Sequence, residues 1–535
     1  MYDSVFHFYP ENRYLLLDEA IVSAAERCPL VFFAAVKDPS NPVISKTLPW
    51  EGNGVSAWNG SILLDPDTGR YRFYYSTFED DRGPGRPSLY LGGIAESVDG
   101  LSWKKPETFP FRFRGVPTAC GCWLDDEAET ALDPSGPRSF DAVYDPRPEC
   151  PPEERYKALG LRRQGGGICV FCSGDGIRWR KHSPDPVWWA CSDIIHPFWD
   201  EKKGRFVCYF KLWKLFAQVP DDTAPGGFRP ASFLSWGGFS PEKREDGLTA
   251  VTGDWIDLHP ESHASVERRT ILVRSGDLGT DDGGGANLTG AYYFRRVVHY
   301  AESADFLHWE HEQEVLDTDE RDRPSANIQL AQVFPMGGYY LAFLNVHDER
   351  GHFEQQLAFS ADGIRFRRPW RGNLLGVGAP GQFDAGMAAG MQPPVLTESQ
   401  MLLYYGGYAG GHADASPGKI AIGRAVMRRE GFAARRVRGD EAGYLETVLL
   451  PVTAGSLAVN ADCEGGELAA ELCGEDGAPI PGYTFTDCDP VRADSASFPD
   501  CLVPVSWRGC ARLPASDALR VRLHFRNADV FAVRI

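Results

Sequence analysis

The chain has no excess of positive charge: 55 Lys and Arg stand against 74 Asp and Glu, a formal net charge of −19 at pH 7. A protein that grips a phosphate backbone needs a basic patch, so nucleic acid is not an expected partner. No stretch approaches the roughly 20 apolar residues that span a bilayer. Residues 1–20, MYDSVFHFYPENRYLLLDEA, lack the basic flank and long apolar core of a signal peptide. A cytoplasmic protein with no membrane partner is therefore expected. The 13 cysteines are scattered without the dense spacing of a disulfide framework, which fits free thiols in a reducing compartment. Cys169 and Cys172 form a C-x-x-C, yet no second pair or nearby His completes a zinc site, and the apolar run GICVFCS reads as core. DPDTGRY at 65–71 lacks the third Asp and the closing Glu of a calcium loop, so a hairpin turn explains it better. Neither a metal nor a cofactor is expected.

What is abundant is turn chemistry. With 57 Gly, 39 Pro and 12% aromatics, the 535 residues read as many short strands joined by tight turns. One motif recurs four times: AESVDGLSW at 95–103, FCSGDGIRW at 171–179, AESADFLHW at 301–309 and AFSADGIRF at 358–366. Asp can bond its own backbone and Gly tolerates positive φ, so Ser-x-Asp-Gly reads as a turn between two strands. Each copy follows an alternating hairpin, as in SILLDPDTGRYRFYYS (61–76) and PFWDEKKGRFVCYFK (197–211), and a fifth hairpin lies at PVLTESQMLLYYGGY (394–408). In that fifth unit the motif has decayed to MRREGF, and in the third Phe306 replaces the Gly.

Five four-stranded sheets in series, none able to bury both faces alone, pack most economically around an axis. The expected fold class is all-β: a five-bladed β-propeller over 45–435 followed by a C-terminal antiparallel β-sandwich over 436–535, with residues 1–44 packing on the propeller. A long excursion at about 214–290, rich in Gly, Pro and Asp, reads as a loop over the channel mouth.

Residues just before each innermost strand converge on that mouth. The stretches are WEGNGVSAWNG (50–60), SFDAVYD (139–145), CSDIIHPFWD (191–200), SANIQLAQ (325–332) and GQFDAGM (381–387). They place Asp141, Asp193 and Asp384 together, with Glu51 a little upstream. A single Asp in a β protein is usually a turn cap; three at equivalent positions shift the reading toward chemistry. Carboxyl groups crowded in a concave site repel, so at least one should keep its proton and serve as a general acid.

The blade hairpins, the FDAVYD stretch and the appended sandwich resemble the five-bladed glycoside hydrolases of families 32, 43, 62 and 68. LLLDEA, PWEG, YYGGY and RNADVFAVRI are similar to bacterial proteins labelled family 32-like. The resemblance implies an acidic constellation cleaving a glycosidic bond of a small glycoside or oligosaccharide, a fructofuranoside or arabinofuranoside among them. In that pattern Asp141 matches the second-blade stabiliser and Asp193 the third-blade acid, where Glu is usual. Asn59 stands where the family has its first-blade Asp, so Asp384 or Glu51 takes the base or nucleophile role. The resulting assignment is Asp193 as acid, Asp384 as base or nucleophile and Asp141 as stabiliser. Glu51, Trp58, Asn59, His196, His347, Glu354 and His412 are read as substrate contacts. Three alternatives stay open: a glycoside phosphorylase, for which Arg162, Arg295 and Arg296 are available, a transglycosylase, and a carbohydrate-binding propeller without catalysis. Sequence leaves the oligomeric state open.

Overall fold

The computed structural model describes residues 13–48, 51–79, 89–106, 111–113, 116–118, 140–161, 167–182, 185–189, 193–257, 265–275, 292–323, 326–347, 353–411, 420–439 and 441–535. Among these there are strands and short 3-10 turns and no α-helix. Five antiparallel sheets follow one another along the chain. The first is Val55–Asp65, Arg70–Glu79 and Leu89–Ser97; the second is Asp141–Tyr144, Tyr156–Leu161, Ile168–Ser173 and Arg180–Lys181. The third begins with Ile195–Asp200 and Arg205–Pro220 and continues through Tyr292–Ser303 and Glu310–Leu316. The fourth is Asn327–Met336, Tyr339–His347 and Phe353–Ser360, and the fifth is Met387–Ala389, Gln400–Tyr408 and Ile420–Arg428.

Turn chemistry sets the hairpins. In the first, Asp65 Oδ1 accepts the Asp67 amide at 2.9 Å, while Gly69, at φ +64°, donates its amide to the Asp65 carbonyl at 2.8 Å. DPDTGRY is thus a hairpin turn. Asp200 and Gly204 repeat the arrangement in the third sheet, with Gly204 also at φ +64°.

The first strands of the first four sheets touch in order, Val55–Asp65 against Asp141–Tyr144, then Ile195–Asp200, then Asn327–Met336. The fifth sheet returns to the first: Gln400–Tyr408 lies against Val55–Asp65, Gly54 bridges Ile420, and Gln392 Nε2 donates to the Ala57 carbonyl at 2.7 Å.

The four copies of the Ser-x-Asp-Gly motif fold alike. Asp99, Asp175, Asp305 and Asp362 each accept a Ser hydroxyl at 2.8–3.1 Å and two backbone amides beyond the turn at 2.8–2.9 Å. The next residue lies at positive φ: Gly100 at 67°, Gly176 at 67°, Phe306 at 71° and Gly363 at 75°.

The carbonyl of this residue is a latch for the preceding sheet. Tyr74 of the first sheet donates to Gly176 of the second at 2.8 Å, Tyr209 of the third to Gly363 of the fourth at 2.7 Å, and Tyr404 of the fifth to Gly100 of the first. A Cβ at Gly176 would lie 2.6 Å from the Tyr74 hydroxyl, and one at Gly363 2.8 Å from that of Tyr209. By register, the position of Tyr74 and Tyr209 is held by Leu159 in the second sheet and Phe343 in the fourth. Those are the sheets that precede Phe306 and the decayed motif. Leu159 packs in one core with Phe306, and Phe343 lies 6.1 Å from Phe432, so apolar packing stands where the latch is missing.

The described part of the 214–290 excursion, 214–257 and 265–275, is built of strands rather than loop. Arg205–Pro220 runs straight on from the third sheet and pairs with Phe228–Lys243, which pairs with Leu248–Asp257 and that with Ser265–Arg274. Leu248–Asp257 alternates buried and half-buried positions, so a period-2 pattern lies under the Gly and Asp content. Leu215, Val251, Trp255 and Val273 form its core.

The first described residues pair with the later part of the chain. Val36–Lys37 pairs with Ile420–Arg428 as the outer strand of the fifth sheet. Leu30–Phe32 and Arg13–Leu15 join a sheet with Ala433–Val437, Ala528–Arg534 and Ala458–Asp462; Val22–Glu26 joins another with Gly443–Thr447, Ala518–Arg526 and Glu467–Cys473. Both sheets contribute to one core that includes Leu445, Leu468, Val521, Phe525, Val530 and Val533.

Candidate functional site

Antiparallel register pairs the first residue of a hairpin's first strand with the last of its second, so the residues of interest collect at one end of each sheet. Asn327 faces His347, which faces Phe353; Met387 faces Tyr408, which faces Ile420; Val55 faces Thr77. Asp141 opens the second sheet, and Asp193 lies two residues before Ile195 in the third.

At this end a line of contacts crosses four sheets. Asp193 Oδ1 lies 2.5 Å from Lys211 Nζ, and that ammonium sits 5.5 Å from the Trp213 ring. The Arg296 guanidinium lies over the same ring at 4.1 Å and donates from Nη1 to Asn327 Oδ1 at 2.9 Å. Asn327 is 3.5 Å from His347 Nδ1, and the His347 ring is 4.7 Å from Phe353. Trp58 of the first sheet meets Phe353 edge-on at 5.0 Å and Tyr408 of the fifth at 6.4 Å; the Tyr408 hydroxyl is 2.5 Å from Ser56 Oγ. Aromatic faces beside fixed polar groups are what a sugar ring needs, because its C–H face is apolar and its edge carries hydroxyls.

Trp58 and Asn59 are presented by an irregularity between Ser56 and Ser61, where the first strand carries extra residues against its partner. Asn59 Oδ1 is buried without a hydrogen-bond partner among the described residues.

The three aspartates differ in environment. Asp141 is 1% exposed, and desolvation pushes its pKa well above the ordinary carboxylate value. Ser61 and the Gly60 amide pull the other way, and neither carboxyl oxygen has a hydrogen-bond partner among the described residues. Asp193 keeps 31% of its side chain exposed beside buried Lys211. Asp384 is buried and accepts Lys37 Nζ at 2.5 Å and the Tyr405 hydroxyl at 2.8 Å. Each therefore has its own neighbours, and two of the three face an ammonium.

The other expected contacts are placed as follows. Glu51 is fully buried and accepts Lys105 at 2.5 Å, the Tyr75 hydroxyl at 2.7 Å and the amides of Thr47 and Leu48 at 2.7 and 2.8 Å. His196 points between sheets, its Nε2 3.0 Å from the Val333 carbonyl, and burial lowers its pKa to about 4. Glu354 pairs with Val346 and accepts Gln356 Nε2 at 3.4 Å. Arg295 reaches Asp317 at 2.6 Å, away from Arg296. His412 and Arg162 lie outside the described residues.

Sequence reasoning missed Lys211, Trp213, Asn327 and Phe353 as members of this line. The signal was present in YFKLWK: period 2 puts Lys211 and Trp213 on one face of the long strand Arg205–Pro220.

No family model matches the chain, and no curated protein matches it. Solved structures do. A glycosyl hydrolase from Bacteroides ovatus is similar at 13% identity and TM-score 0.39, over 74% of this chain and 94% of that one. A putative glycosidase from Bacteroides thetaiotaomicron VPI-5482 is similar at 13% identity and TM-score 0.38, over 73% and 96%. A third, from work on the GH130 family of mannoside phosphorylases that "contains glycoside hydrolases that target beta-1,2 mannosidic linkages in Candida mannan", is similar at 13% identity and TM-score 0.37, over 74% and 94%.

Proposed function

We propose that the five sheets are blades of a five-bladed β-propeller, that the two sheets beside them form a β-sandwich, and that the protein is a cytoplasmic glycoside hydrolase working at the shared end of the blades. Its substrate is a small glycoside or oligosaccharide. The observation that supports this reading is the line of contacts Asp193–Lys211, Trp213–Arg296–Asn327–His347 and Phe353–Trp58–Tyr408, which runs from an accessible carboxylate past nitrogen donors to an aromatic corner. The cytoplasmic location is supported by the ten described cysteines, all free and nine of them buried.

Glycosidic cleavage needs one carboxyl that gives a proton to the leaving oxygen and one that is ionised. The environments favour a different sharing of roles from the one the resemblance implies. Burial keeps the proton on Asp141, which fits the acid. Lys211 beside Asp193 favours the carboxylate and fits the base or nucleophile. Asp384, held by Lys37 and Tyr405, is the third carboxyl of the set.

Turnover of aryl furanosides and pyranosides by the purified chain tests this. Asp193→Asn should abolish turnover of every substrate. Asp141→Asn should spare substrates with strongly acidic leaving groups, which need no proton, and lose the rest. Wild-type activity should fall as pH rises through the Asp141 pKa, since the acid must be protonated. Full activity in Asp193→Asn would refute the reading. Phosphorolysis is the second reading, supported by Arg296 and His347 flanking Asn327 near the Asp193 carboxylate; turnover that requires inorganic phosphate would select it.

A further inference from the structure

Away from the mouth, the second sheet gathers three side chains that the sequence separates. Glu154 ends the turn Pro152–Glu154 between the first and second strands, Cys172 lies in the third strand, and His182 follows the fourth. Register sets Cys172 beside both Lys157 and Arg180. One ligand atom each from Glu154, Cys172 and His182 lie within 4.8 Å of one another, His182 Nδ1 being 3.9 Å from Glu154 Oε1. We propose that Glu154, Cys172 and His182 bind one borderline-soft divalent cation of the Zn²⁺ class, with water as fourth ligand.

The donor set fits that class: thiolate, imidazole and carboxylate are the ligands zinc takes, whereas Ca²⁺ and Mg²⁺ want oxygen alone. Metal bonds of about 2.0–2.3 Å require donors about 3.3–3.8 Å apart in a tetrahedron. Rotation of the half-exposed Glu154 and the exposed His182 closes that gap. Two cations share the neighbourhood. Arg180 donates to Glu154 Oε1 at 2.6 Å, but 53% of its side chain is exposed, so it can turn to solvent. Lys157 Nζ lies 3.4 Å from Asp145, 3.5 Å from Cys150 Sγ and 3.9 Å from Glu154 Oε2, and donates to the Glu154 carbonyl at 3.1 Å, so Asp145 and that carbonyl keep it in place when the Glu154 carboxylate turns to the metal. Burial raises the Cys172 pKa and the Glu154 carboxylate adds to it, while Arg180 and Lys157 pull the other way, so binding of the cation releases the thiol proton.

The metal would staple a sheet of short strands. Its strands have only 4, 6, 6 and 2 residues, and the three ligands tie its hairpin turn, third strand and outermost strand together. Cys169, the other half of the C-x-x-C, packs instead in an apolar core with Phe140 and Tyr156. That is why spacing alone gave no zinc motif: the other two ligands come from a turn and from the residue after the outermost strand.

Co²⁺ titrated into the full chain is the probe. One equivalent should bind with a thiolate-to-cobalt charge-transfer absorption, lost in Cys172→Ser and retained in Cys510→Ser, which removes the one exposed thiol among the described residues. His182→Gln changes an exposed side chain and should leave the fold intact while weakening Co²⁺ binding by at least about 10-fold. Zn²⁺ should raise the unfolding midpoint of the wild type and not that of His182→Gln. No charge-transfer absorption in the wild type would overturn the proposal. So would absorption and affinity unchanged in both Cys172→Ser and His182→Gln.

Discussion

Removing the hydroxyl of Tyr74 or adding a methyl at Gly176 attacks the same latch from two sides, and the two effects should not add. The Gly176 carbonyl accepts Tyr74 at 2.8 Å and also Trp179 Nε1 at 3.2 Å. Tyr74→Phe therefore leaves the carbonyl one donor and should cost about 1 kcal/mol, the net worth of a single hydrogen bond. Gly176→Ala carries two penalties. A side chain at φ +67° costs about 1–2 kcal/mol. The new Cβ also lands 2.6 Å from the Tyr74 hydroxyl and against Arg72 Nη1, driving the tyrosine off the carbonyl for about 1 kcal/mol more. Tyr74→Phe has already incurred that second penalty, so Gly176→Ala should cost about 1 kcal/mol less when combined with Tyr74→Phe than in the wild type. Denaturant midpoints at unchanged m-value give all four corners of the cycle. Additivity within about 0.3 kcal/mol would show that the contact is incidental to how the sheets hold together. The reverse experiment is Leu159→Tyr, which should destabilise, because Phe306 fills the place where the second sheet's hydroxyl would seek a carbonyl.

Two further outcomes follow from buried carboxyl groups. Glu312 accepts Trp188 Nε1 at 2.6 Å, and burial raises its pKa from 4.5 to about 7. A raised carboxyl pKa contributes stability that is complete below about pH 4.5 and lost as pH climbs to about 7. Glu312→Gln cannot titrate, so its stability relative to the wild type should grow across that window by on the order of 2–3 kcal/mol and level off above it; a flat difference between about pH 4 and 8 would contradict this. Glu51→Ala leaves the Lys105 ammonium without its buried partner and should cost about 3–5 kcal/mol in thermal or denaturant unfolding, with KM of the folded fraction unchanged. A rise in KM at unchanged stability would return Glu51 to the substrate.

Much of this was legible in the sequence, for reasons that differ residue by residue. The Ser-x-Asp-Gly turns could be read because a turn is local: its Asp, its Ser and the amides it satisfies lie within a few residues of one another. Their Tyr partners could not, because Tyr74 and Gly176 are joined only by how adjacent sheets pack. Asp141, Asp193 and Asp384 could be placed before inner strands from alternation alone, but not the ammonium groups of Lys211 and Lys37 that set two of them apart from the third. Glu51 looked like a mouth residue by proximity to Trp58, whereas its hydrogen bonds to Thr47, Leu48, Tyr75 and Lys105 hold the loop before the first strand. The extension after Arg205–Pro220 was hidden by Gly and Asp, which are turn formers in isolation yet sit inside Phe228–Lys243 and Leu248–Asp257.

The pairing of residues 13–37 with 420–534 has a temporal side. Lys37 meets Ala425, Phe32 meets Ala433, Glu26 meets Tyr444 and Arg13 meets Arg534, so a segment made early is matched, in reverse, to one made hundreds of residues later. At about 5–20 residues per second, the interval between the making of Lys37 and its partner is roughly 20–80 s. Throughout it the strand carrying the Asp384 counter-ion has nothing native to pair with. Translation speed and the chaperones that guard nascent strands thus bear on whether the fifth sheet closes correctly.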